Sequence, residues 1–240
     1  MDGAGWLNPV VGITGMPGAG KTTVARWFAR RYGVHIDADA LGHEVLRQQE
    51  VVRQVRERFG PEVIRQGEVQ RAALAAQAFS SPEGIAALNA ICHPPIRAKV
   101  MALLAAGAGT GGFFVLDAPL LFESGFGDIC QLTVSLHAPR ARRLGRLASR
   151  GWDEIELGRR ERGHDEALKR RRAQLRLDCS GELEVGSLAS SALEKKIIEL
   201  ELALRSHMWR DPRVGVWASA VIRTLEDEFS WKEELAHPGP

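Results

Sequence analysis

A glycine-rich loop followed by Lys-Thr lies near the start of the chain, in the stretch "GITGMPGAGKTT" at 12–23. Its spacing, with Lys21 and Thr22 after the last glycine, is that of a phosphate-binding loop between a strand and a helix. Backbone N–H groups of such a loop turn toward phosphate oxygens, and the helix N-terminus adds partial positive charge. We expect Lys21 to reach the β- and γ-phosphates and the Thr22 hydroxyl to bind Mg²⁺. The residues predicted to bind the nucleotide here are Gly15, Pro17, Gly18, Ala19, Gly20, Lys21, Thr22 and Thr23.

The loop alone does not separate a kinase from an ATPase or a GTPase. The sequence contains no Asn-Lys-x-Asp motif of the kind that reads guanine, which argues against a GTPase. Asp117 has the position of a metal-binding aspartate after an apolar strand, but "APLLFESG" follows it instead of a second acid. This weakens the interpretation as a motor ATPase.

Two carboxylates follow the second apolar stretch, in "HIDADALGHE". Asp37 and Asp39 lie two residues apart, and in an extended segment this spacing points both side chains the same way. Ligands of parallel sheets bind beyond the carboxyl ends of the strands, so we expect both acids to point toward the phosphate loop. A kinase needs a carboxylate to accept the proton of the acceptor hydroxyl, and acids to hold the water shell of Mg²⁺. Asp39 is favoured as the base because it is the more distal acid, whereas Asp37 is equally compatible with catalysis and with a role as metal-shell residue or N-cap of a helix starting near Ala40.

Short apolar strands alternate with helical segments around these residues. Strands are predicted at "PVVGIT", "GVHIDAD", "GGFFVLDAP" and "CQLTVSLHA", with "QLRLDCSG" as a weaker candidate. Helices are predicted at about 21–31, 40–58 and 70–105 and in "SLASSALEKKIIELELALR" at 187–205. This alternation predicts an α/β fold with a parallel five-stranded sheet flanked by helices. The long helical insert between the second and third strands is expected to cap one end of the sheet.

Composition narrows the class of protein further. The 240 residues are 45% apolar and 26% charged with a formal net charge of +2, which is typical of a globular protein and gives no general signal for a polyanionic partner. The three cysteines are far apart and lack Cys-x-x-Cys spacing, which argues against a metal site or disulfide framework built on them and is typical of a reducing cytosol. No signal peptide or membrane span is apparent. We therefore expect a cytoplasmic protein, a monomer or weak homo-oligomer, with neither nucleic acid nor membrane as a partner.

Four further stretches share the pattern of one enzyme family. They are "DADALGHEV", with Asp-x-Asp, "FGPEVIRQGEVQRAALAAQAF", with Phe-Gly, Gly, Arg, Leu and Phe at fixed offsets, "LNAICHPPI", with Leu-Asn-x-x-x-His-Pro, and "DAPLLFESG", with Pro-Leu-Leu-x-Glu. In this order, over about 10–203, they resemble the dephospho-coenzyme A kinase family. The last two segments are far more specific than the phosphate loop.

The resemblance implies that ATP, with Mg²⁺ as cofactor, phosphorylates the ribose 3′-hydroxyl of dephospho-CoA, which is the last step of coenzyme A synthesis. Asp39 would be the general base, with Lys21 and Arg146 stabilising the transferred group. The residues that the resemblance implies for the acceptor site are Asp37, Arg71, His93, Pro119, Leu120, Leu121 and Glu123. Each has a plainer explanation: a satisfied histidine near a helix boundary, core leucines, a surface acid near a turn, or a solvated arginine.

The resemblance also implies three parts within a kinase-like domain at 8–203, followed by a C-terminal extension of unknown role at 204–240. The parts are a nucleotide-binding core (8–38, 112–138 and 174–203), a helical CoA-binding part (39–111) and a basic lid (139–173).

Arginines are concentrated in the lid. Arg143, Arg146 and Arg150 are three and four residues apart and therefore share a helix face, and Arg159 and Arg160 follow. We expect Arg146, Arg150 and Arg159 to contact the nucleotide, where one arginine can contribute roughly 10³–10⁵ to the rate of phosphoryl transfer. The alternative is a solvated basic face.

The chain departs from the family pattern after the lid arginines. With Lys169 on the family lysine, Gly163 takes the place of Gln, Gln174 of Asp and Cys179 of Asn, whereas Gly181 fits. These changes bear on the adenine side and the last strand. They keep one rival function open, a nucleotide-binding regulator without turnover. A second rival, another nucleoside or nucleotide kinase with the same core, should lack the His-Pro and Pro-Leu-Leu-x-Glu segments, and both are present.

Overall fold

The computed structural model describes residues 8–107 and 113–181, apart from the side chains of 31 and 32. These residues belong to the first of two compact units, Met1–Glu194, and the second unit, Lys195–Pro240, lies outside the described part of the chain. The helix predicted at 187–205 and the extension predicted at 204–240 are also outside it.

Five parallel strands form the sheet, in the order β2-β5-β1-β6-β7. They are β1 (Val10–Gly15), β2 (Gly33–Asp37), β5 (Phe113–Asp117), β6 (Leu132–His137) and β7 (Leu175–Asp178). The central strand β1 is buried along its whole length, which explains why it is apolar without polar alternation. The predicted parallel sheet of five strands is confirmed, including the polar edge strand β7. A separate antiparallel hairpin consists of β3 (Ile64–Arg65) and β4 (Glu68–Val69).

Eight helices accompany these strands in the described ranges. They are α1 (Lys21–Tyr32), α2 (Ala38–Val45), α3 (Gln49–Phe59), α4 (Arg71–Ala78), α5 (Pro82–Ala106), α6 (Arg140–Ala148), α7 (Glu154–Glu161) and α8 (Glu166–Arg172). The predicted helical segments 40–58 and 70–105 are each divided in two. The break before α5 has a local cause, because Ser81 accepts a hydrogen bond from the Gly84 N–H at 3.0 Å and Pro82 occupies the first helical turn.

The break between α2 and α3 has no glycine or proline to announce it. Leu41 and Val45 of α2 belong to a core cluster with residues of α5 and the sheet. Val51 and Val55 of α3 belong to a second cluster, together with Phe59 and with residues of α4. The apolar faces of α2 and α3 thus pack in different clusters, which a continuous periodic pattern does not reveal.

Helix α5 continues through Pro94 and Pro95. Their missing N–H groups leave the carbonyls of Ala90 and Ile91 without the usual helical hydrogen bond. His93 therefore lies inside a helix, not at the helix boundary considered above.

None of the helices in the two described ranges combines the length and apolar character that a bilayer span requires.

Candidate active site

The loop between β1 and α1 has the backbone that phosphate binding needs. Gly18 and Gly20 have φ of 76° and 99°, in the left-handed region that favours glycine. A Cβ on Gly18 would lie 2.7 Å from the Arg143 carbonyl oxygen, so the position has no room for a side chain. Lys21 is only 9% exposed, and its ammonium donates a hydrogen bond to the Met16 carbonyl at 3.2 Å. The loop and its lysine are thus preorganised around the helix N-terminus.

A cleft of about 750 Å³ adjoins this loop and extends to the helical part and the lid. It brings together residues that the sequence assigned separately to the two substrates. The predicted site residues that line it are Pro17, Gly18, Gly20, Lys21, Thr22, Thr23, Asp39, Arg71, Pro119, Leu120, Arg146 and Arg150.

Contrary to the expectation from the sequence, Asp37 and Asp39 do not point the same way into the cleft. The strand ends at Asp37, whose carboxylate accepts a hydrogen bond from the Ala40 N–H at 3.0 Å and so caps α2. Asp39 stands in the first turn of that helix, so the two side chains do not share an extended segment. Only Asp39 lines the cleft. The helix begins two residues earlier than expected because Asp37 supplies its N-cap.

Asp39 and Lys21 influence each other's protonation across the cleft. Burial raises the pKa of Asp39, and the positive charge of Lys21 opposes this rise. Asp39 is nevertheless exposed to solvent in the cleft, so the burial that raises its pKa comes from the protein atoms around the cleft. Burial also lowers the pKa of Lys21, and the negative charges of Asp117 and Asp39 partly offset this decrease. The raised pKa brings Asp39 nearer to the range in which a carboxylate is an effective base.

The Pro-Leu-Leu-x-Glu segment divides between cleft and core. Pro119 and Leu120 line the cleft, whereas Leu121 is fully buried beneath them. Glu123 forms an ion pair with Lys169, which is only 1% exposed, and accepts a hydrogen bond from the Asp165 N–H at 3.2 Å. The segment is thereby joined to the lid. His93 does not line the cleft either. Burial lowers its pKa, and the negative charge of Glu123 partly offsets this decrease.

Two of the predicted loop residues, Gly15 and Ala19, lie behind the cleft wall. Ala19 is fully buried. A Cβ on Gly15 would lie 2.5 Å from the Leu136 carbonyl oxygen, so Gly15 permits the close approach of β1 and β6. Their contribution is to the shape of the loop.

The lid arginines have different surroundings. Arg143 is 5% exposed and donates to the Pro17 carbonyl at 3.3 Å, besides pairing with Glu161. Arg146 donates to the Gly18 carbonyl at 3.2 Å and to the Cys179 carbonyl at 2.5 Å. Both guanidinium groups therefore bind carbonyls of the phosphate loop. Arg150 lies beyond the end of α6 and lines the cleft.

Arg160, not Arg159, lines the cleft from α7. The Arg160 guanidinium lies 5.3 Å from the ring centroids of both Phe79 and Trp152, which orders it by cation–π contacts. Arg159 pairs with Glu156 on its own helix, as Arg160 also does at 2.8 Å, but Arg159 does not line the cleft. The sequence pattern favoured Arg159 over Arg160 because the start of α7 at Glu154, which sets the direction of each side chain, is not evident from the charges.

Further cleft residues escaped the sequence analysis. Asn89 belongs to the Leu-Asn-x-x-x-His-Pro segment, so a signal for it was present. His43 contacts Arg71, with 2.6 Å between its Nε2 and the guanidinium. His164 follows the divergent Gly163, and burial lowers its pKa to about 3. The remaining cleft residues not predicted are Phe79, Ile85, Leu147, Trp152, Arg160 and Gly163.

Gln174 and Cys179, which depart from the family pattern, form hydrogen bonds that hold β7 at the edge of the sheet. The Gln174 side-chain oxygen accepts a hydrogen bond from the Thr133 N–H at 2.7 Å. The Cys179 N–H donates to the His137 carbonyl at 2.6 Å, and the Cys179 carbonyl binds Arg146. These departures from the family pattern therefore preserve the edge of the sheet.

The strand order, the phosphate loop after the central strand and the basic helical segment beside it define a P-loop kinase fold. A model of the dephospho-CoA kinase family matches residues 9–184. The chain belongs to the dephospho-CoA kinase family. The resemblance seen in the sequence is thereby confirmed.

Curated relatives agree with this assignment. A dephospho-CoA kinase of Deinococcus radiodurans is 44% identical over 177 residues, which cover 72% of this chain and 85% of the relative. A dephospho-CoA kinase of Thermus thermophilus is 37% identical over 178 residues, covering 73% and 85%.

Solved structures share the fold. A crystal structure from Thermus thermophilus superposes with a TM-score of 0.63 at 34% identity and covers 80% of this chain and 98% of that chain. A dephospho-CoA kinase from Campylobacter jejuni superposes with a TM-score of 0.54 at 22% identity, covering 80% and 96%.

Proposed function

We propose that this chain transfers the γ-phosphoryl group of ATP to the ribose 3′-hydroxyl of dephospho-CoA, giving coenzyme A. Family membership supports the reaction class. The observation that carries the proposal is one cleft lined both by the phosphate loop and by Asp39, Arg71, Pro119 and Leu120. A cleft with both sets of residues suits a two-substrate transfer better than nucleotide binding alone.

The phosphate loop and Lys21 bind the donor. Loop N–H groups and the Lys21 ammonium stabilise the β- and γ-phosphates. Arg146, Arg150 and Arg160 stabilise the negative charge that develops on the transferred phosphoryl group. Arg159 is retained as a predicted nucleotide contact with a weaker claim, since it does not line the cleft, whereas Arg160, which pairs with the same Glu156, does. The lid excludes water, which would otherwise compete with the acceptor hydroxyl.

Mg²⁺ fits the donor side of the cleft by the chemistry of the groups there. The Thr22 hydroxyl and the Asp39 carboxylate line the same cavity, and both are oxygen ligands of the kind that Mg²⁺ prefers, directly or through water. When bound, the ion neutralises phosphate charge. Thr22 is its proposed protein ligand.

Asp39 is the proposed general base. Its place in the first turn of α2 directs it into the cleft, and its raised pKa increases its basicity toward a hydroxyl proton. The remaining acceptor residues divide into those on the cleft wall (Arg71, Pro119 and Leu120) and those proposed to support the wall from behind (Asp37, His93, Leu121 and Glu123).

The base assignment is tested by Asp39→Asn. We expect kcat to fall by roughly 10²–10⁴, while the Kd for ATP changes little, because Asn keeps the shape but accepts no proton. Glu44→Gln is the matched control, since Glu44 is an acid of the same helix whose partner is Lys99 at 2.8 Å, outside the cleft. Turnover of Asp39→Asn near that of the control would contradict the assignment.

The acceptor is tested by a coupled assay of ADP release with and without dephospho-CoA. Release that depends on dephospho-CoA, with phosphate found at the 3′ position of the product, supports the proposal. Release that depends instead on a nucleoside or nucleotide would indicate the related kinase class. ATP binding without transfer to any of these acceptors would indicate a regulator.

A further inference from the structure

Three side chains outside the cleft wall converge at the edge of the sheet. They are His35 and Asp37 of the edge strand β2 and Asp117 at the end of its neighbour β5. Asp37 pairs in register with Asp117, and His35 stands two residues before Asp37, on the same side of the strand. One ligand atom from each lies within 4.8 Å of the others.

The polar atoms of this cluster are poorly satisfied by the protein. Asp117 is only 2% exposed, and its Oδ1 has no hydrogen-bond partner. The buried Nε2 of His35 also has none, because the nearest carboxylate oxygen, Oδ2 of Asp117, is 3.6 Å away. A buried carboxylate oxygen without a partner is costly, which points to a ligand that the protein atoms alone do not supply.

The spacing of these atoms suits a shared metal ion. Two ligands on one tetrahedral ion, with bonds of about 2.0–2.1 Å, stand roughly 3.4 Å apart. The separation of 3.6 Å between His35 Nε2 and Asp117 Oδ2 is close to that value and too long for a hydrogen bond. All three ligand atoms lie within 4.8 Å of one another, so each pair would have to approach by at most about 1.4 Å to reach that spacing.

We infer that His35, Asp37 and Asp117 form a binding site for a divalent transition-metal ion of the Zn²⁺ type. One imidazole and two carboxylates are ligands that Zn²⁺ accepts, whereas Mg²⁺ prefers oxygen ligands alone. Three protein ligands leave a fourth position open. The site does not include Thr22, so it differs from the proposed Mg²⁺ position of the nucleotide.

Such an ion would cross-link β2 to β5. Strand β2 is the outermost strand on this side of the sheet and leads directly into α2, which presents Asp39 to the cleft. The ion would therefore fix the position of that helix start. Asp37 would serve both as N-cap, through one carboxylate oxygen, and as ligand through the other.

The test is titration of the full chain, free of nucleotide and of Mg²⁺, with Co²⁺ as a spectroscopic probe and with Zn²⁺ in competition. We expect one equivalent of Co²⁺ to give a visible absorption band that Zn²⁺ removes. At Zn²⁺ concentrations of about 100 Kd, we expect the melting temperature to rise by roughly 5–10 °C.

Variants locate the site. His35→Gln and, independently, Asp37→Asn should weaken Co²⁺ and Zn²⁺ binding at least tenfold, and Asn retains a capping oxygen for α2. The matched control is His137→Gln. His137 also lies near a carboxylate, 2.9 Å from Glu166, but on β6, three strands away from β2 in the sheet. Thr22→Ala should leave the binding unchanged as well.

The inference is overturned if the wild-type chain shows no saturable Zn²⁺ or Co²⁺ binding below about 100 μM. It is equally overturned if folded His35→Gln binds as the wild type does, or if Thr22→Ala abolishes binding. All these measurements are made without ATP and dephospho-CoA, so their outcome is independent of the proposed kinase activity.

Discussion

Replacing Lys169 by Met tests whether the ion pair with Glu123 stabilises the connection between the lid and the Pro-Leu-Leu-x-Glu segment. Lys169 is 1% exposed and the Glu123 side chain is 17% exposed, so most of the pair is removed from water. Removing one partner of a buried pair costs about 3–5 kcal/mol, because the other charge stays buried without compensation. Since Glu123 retains some contact with solvent, we expect a loss near the lower limit, about 3 kcal/mol, or roughly 6–12 °C in melting temperature.

The assay is equilibrium unfolding in urea, followed by circular dichroism and by tryptophan fluorescence. Agreement between the two probes and an unchanged slope m would show that the comparison is between the same two states. Arg170→Met is the matched control, because Arg170 is an exposed neighbour on α8 and its loss should cost less than about 0.5 kcal/mol.

A double-mutant cycle separates the pair from other effects of the substitution. Glu123→Gln retains an acceptor for the Asp165 N–H and removes the charge. In the variant that combines it with Lys169→Met, we expect the total loss to be about 1–3 kcal/mol smaller than the sum of the single losses. A loss below 1 kcal/mol for Lys169→Met, or additive losses in the cycle, would refute the reasoning.

Three further predictions follow from burial. Burial lowers the pKa of His164 to about 3, so between pH 6.5 and 3 the unfolded chain binds a proton that the folded chain does not. Folding stability should therefore fall as the pH drops through this range, by at most about 4 kcal/mol. His164→Gln should reduce this acid-side loss of stability; the same loss in the variant and the wild type would contradict the lowered pKa of His164. A Cβ at Gly12 would lie 2.7 Å from the Cys130 sulfur and 2.9 Å from Leu121, so Gly12→Ala should cost about 1–3 kcal/mol, and a melting temperature within 1 °C of the wild type would show that the core has space. Burial raises the pKa of Cys92 to about 11 and that of Cys130 to about 12, so peptide mapping after iodoacetamide at pH 8 should find both thiols unmodified in the folded chain and modified in guanidinium; equal rates in the two conditions would contradict this.

The sheet and the phosphate loop were predictable from the sequence for local reasons. Strands buried on both faces are continuous apolar runs, and "VVGITG" and "FFVLD" are of this kind. The loop was predictable because its glycines satisfy a backbone requirement at fixed spacing. Even the start of α5 has a readable signal in Ser81 and Pro82.

Features that depend on how separate elements meet were not predictable in this way. Nothing in the spacing of Glu123 and Lys169 shows that they pair, because they are brought together by the packing of α8 against the sheet. Arg160 was missed because Phe79, one of the two rings that hold it, lies about 80 residues earlier in the chain. Likewise, a break without glycine or proline, as between α2 and α3, is decided by which core cluster each helix joins.

The position of β1 at the centre of the sheet has a consequence for synthesis of the chain. β1 is translated first, but its partner strands β5 and β6 follow only about 100 and 120 residues later. At about 5–20 residues per second, this apolar strand leaves the ribosome several seconds before β5 and β6, with which it pairs in the finished sheet. The helices α2 to α5 are complete in that interval. The phosphate loop is thus made well before β5 and β6, the two strands that pair with the strand leading into it.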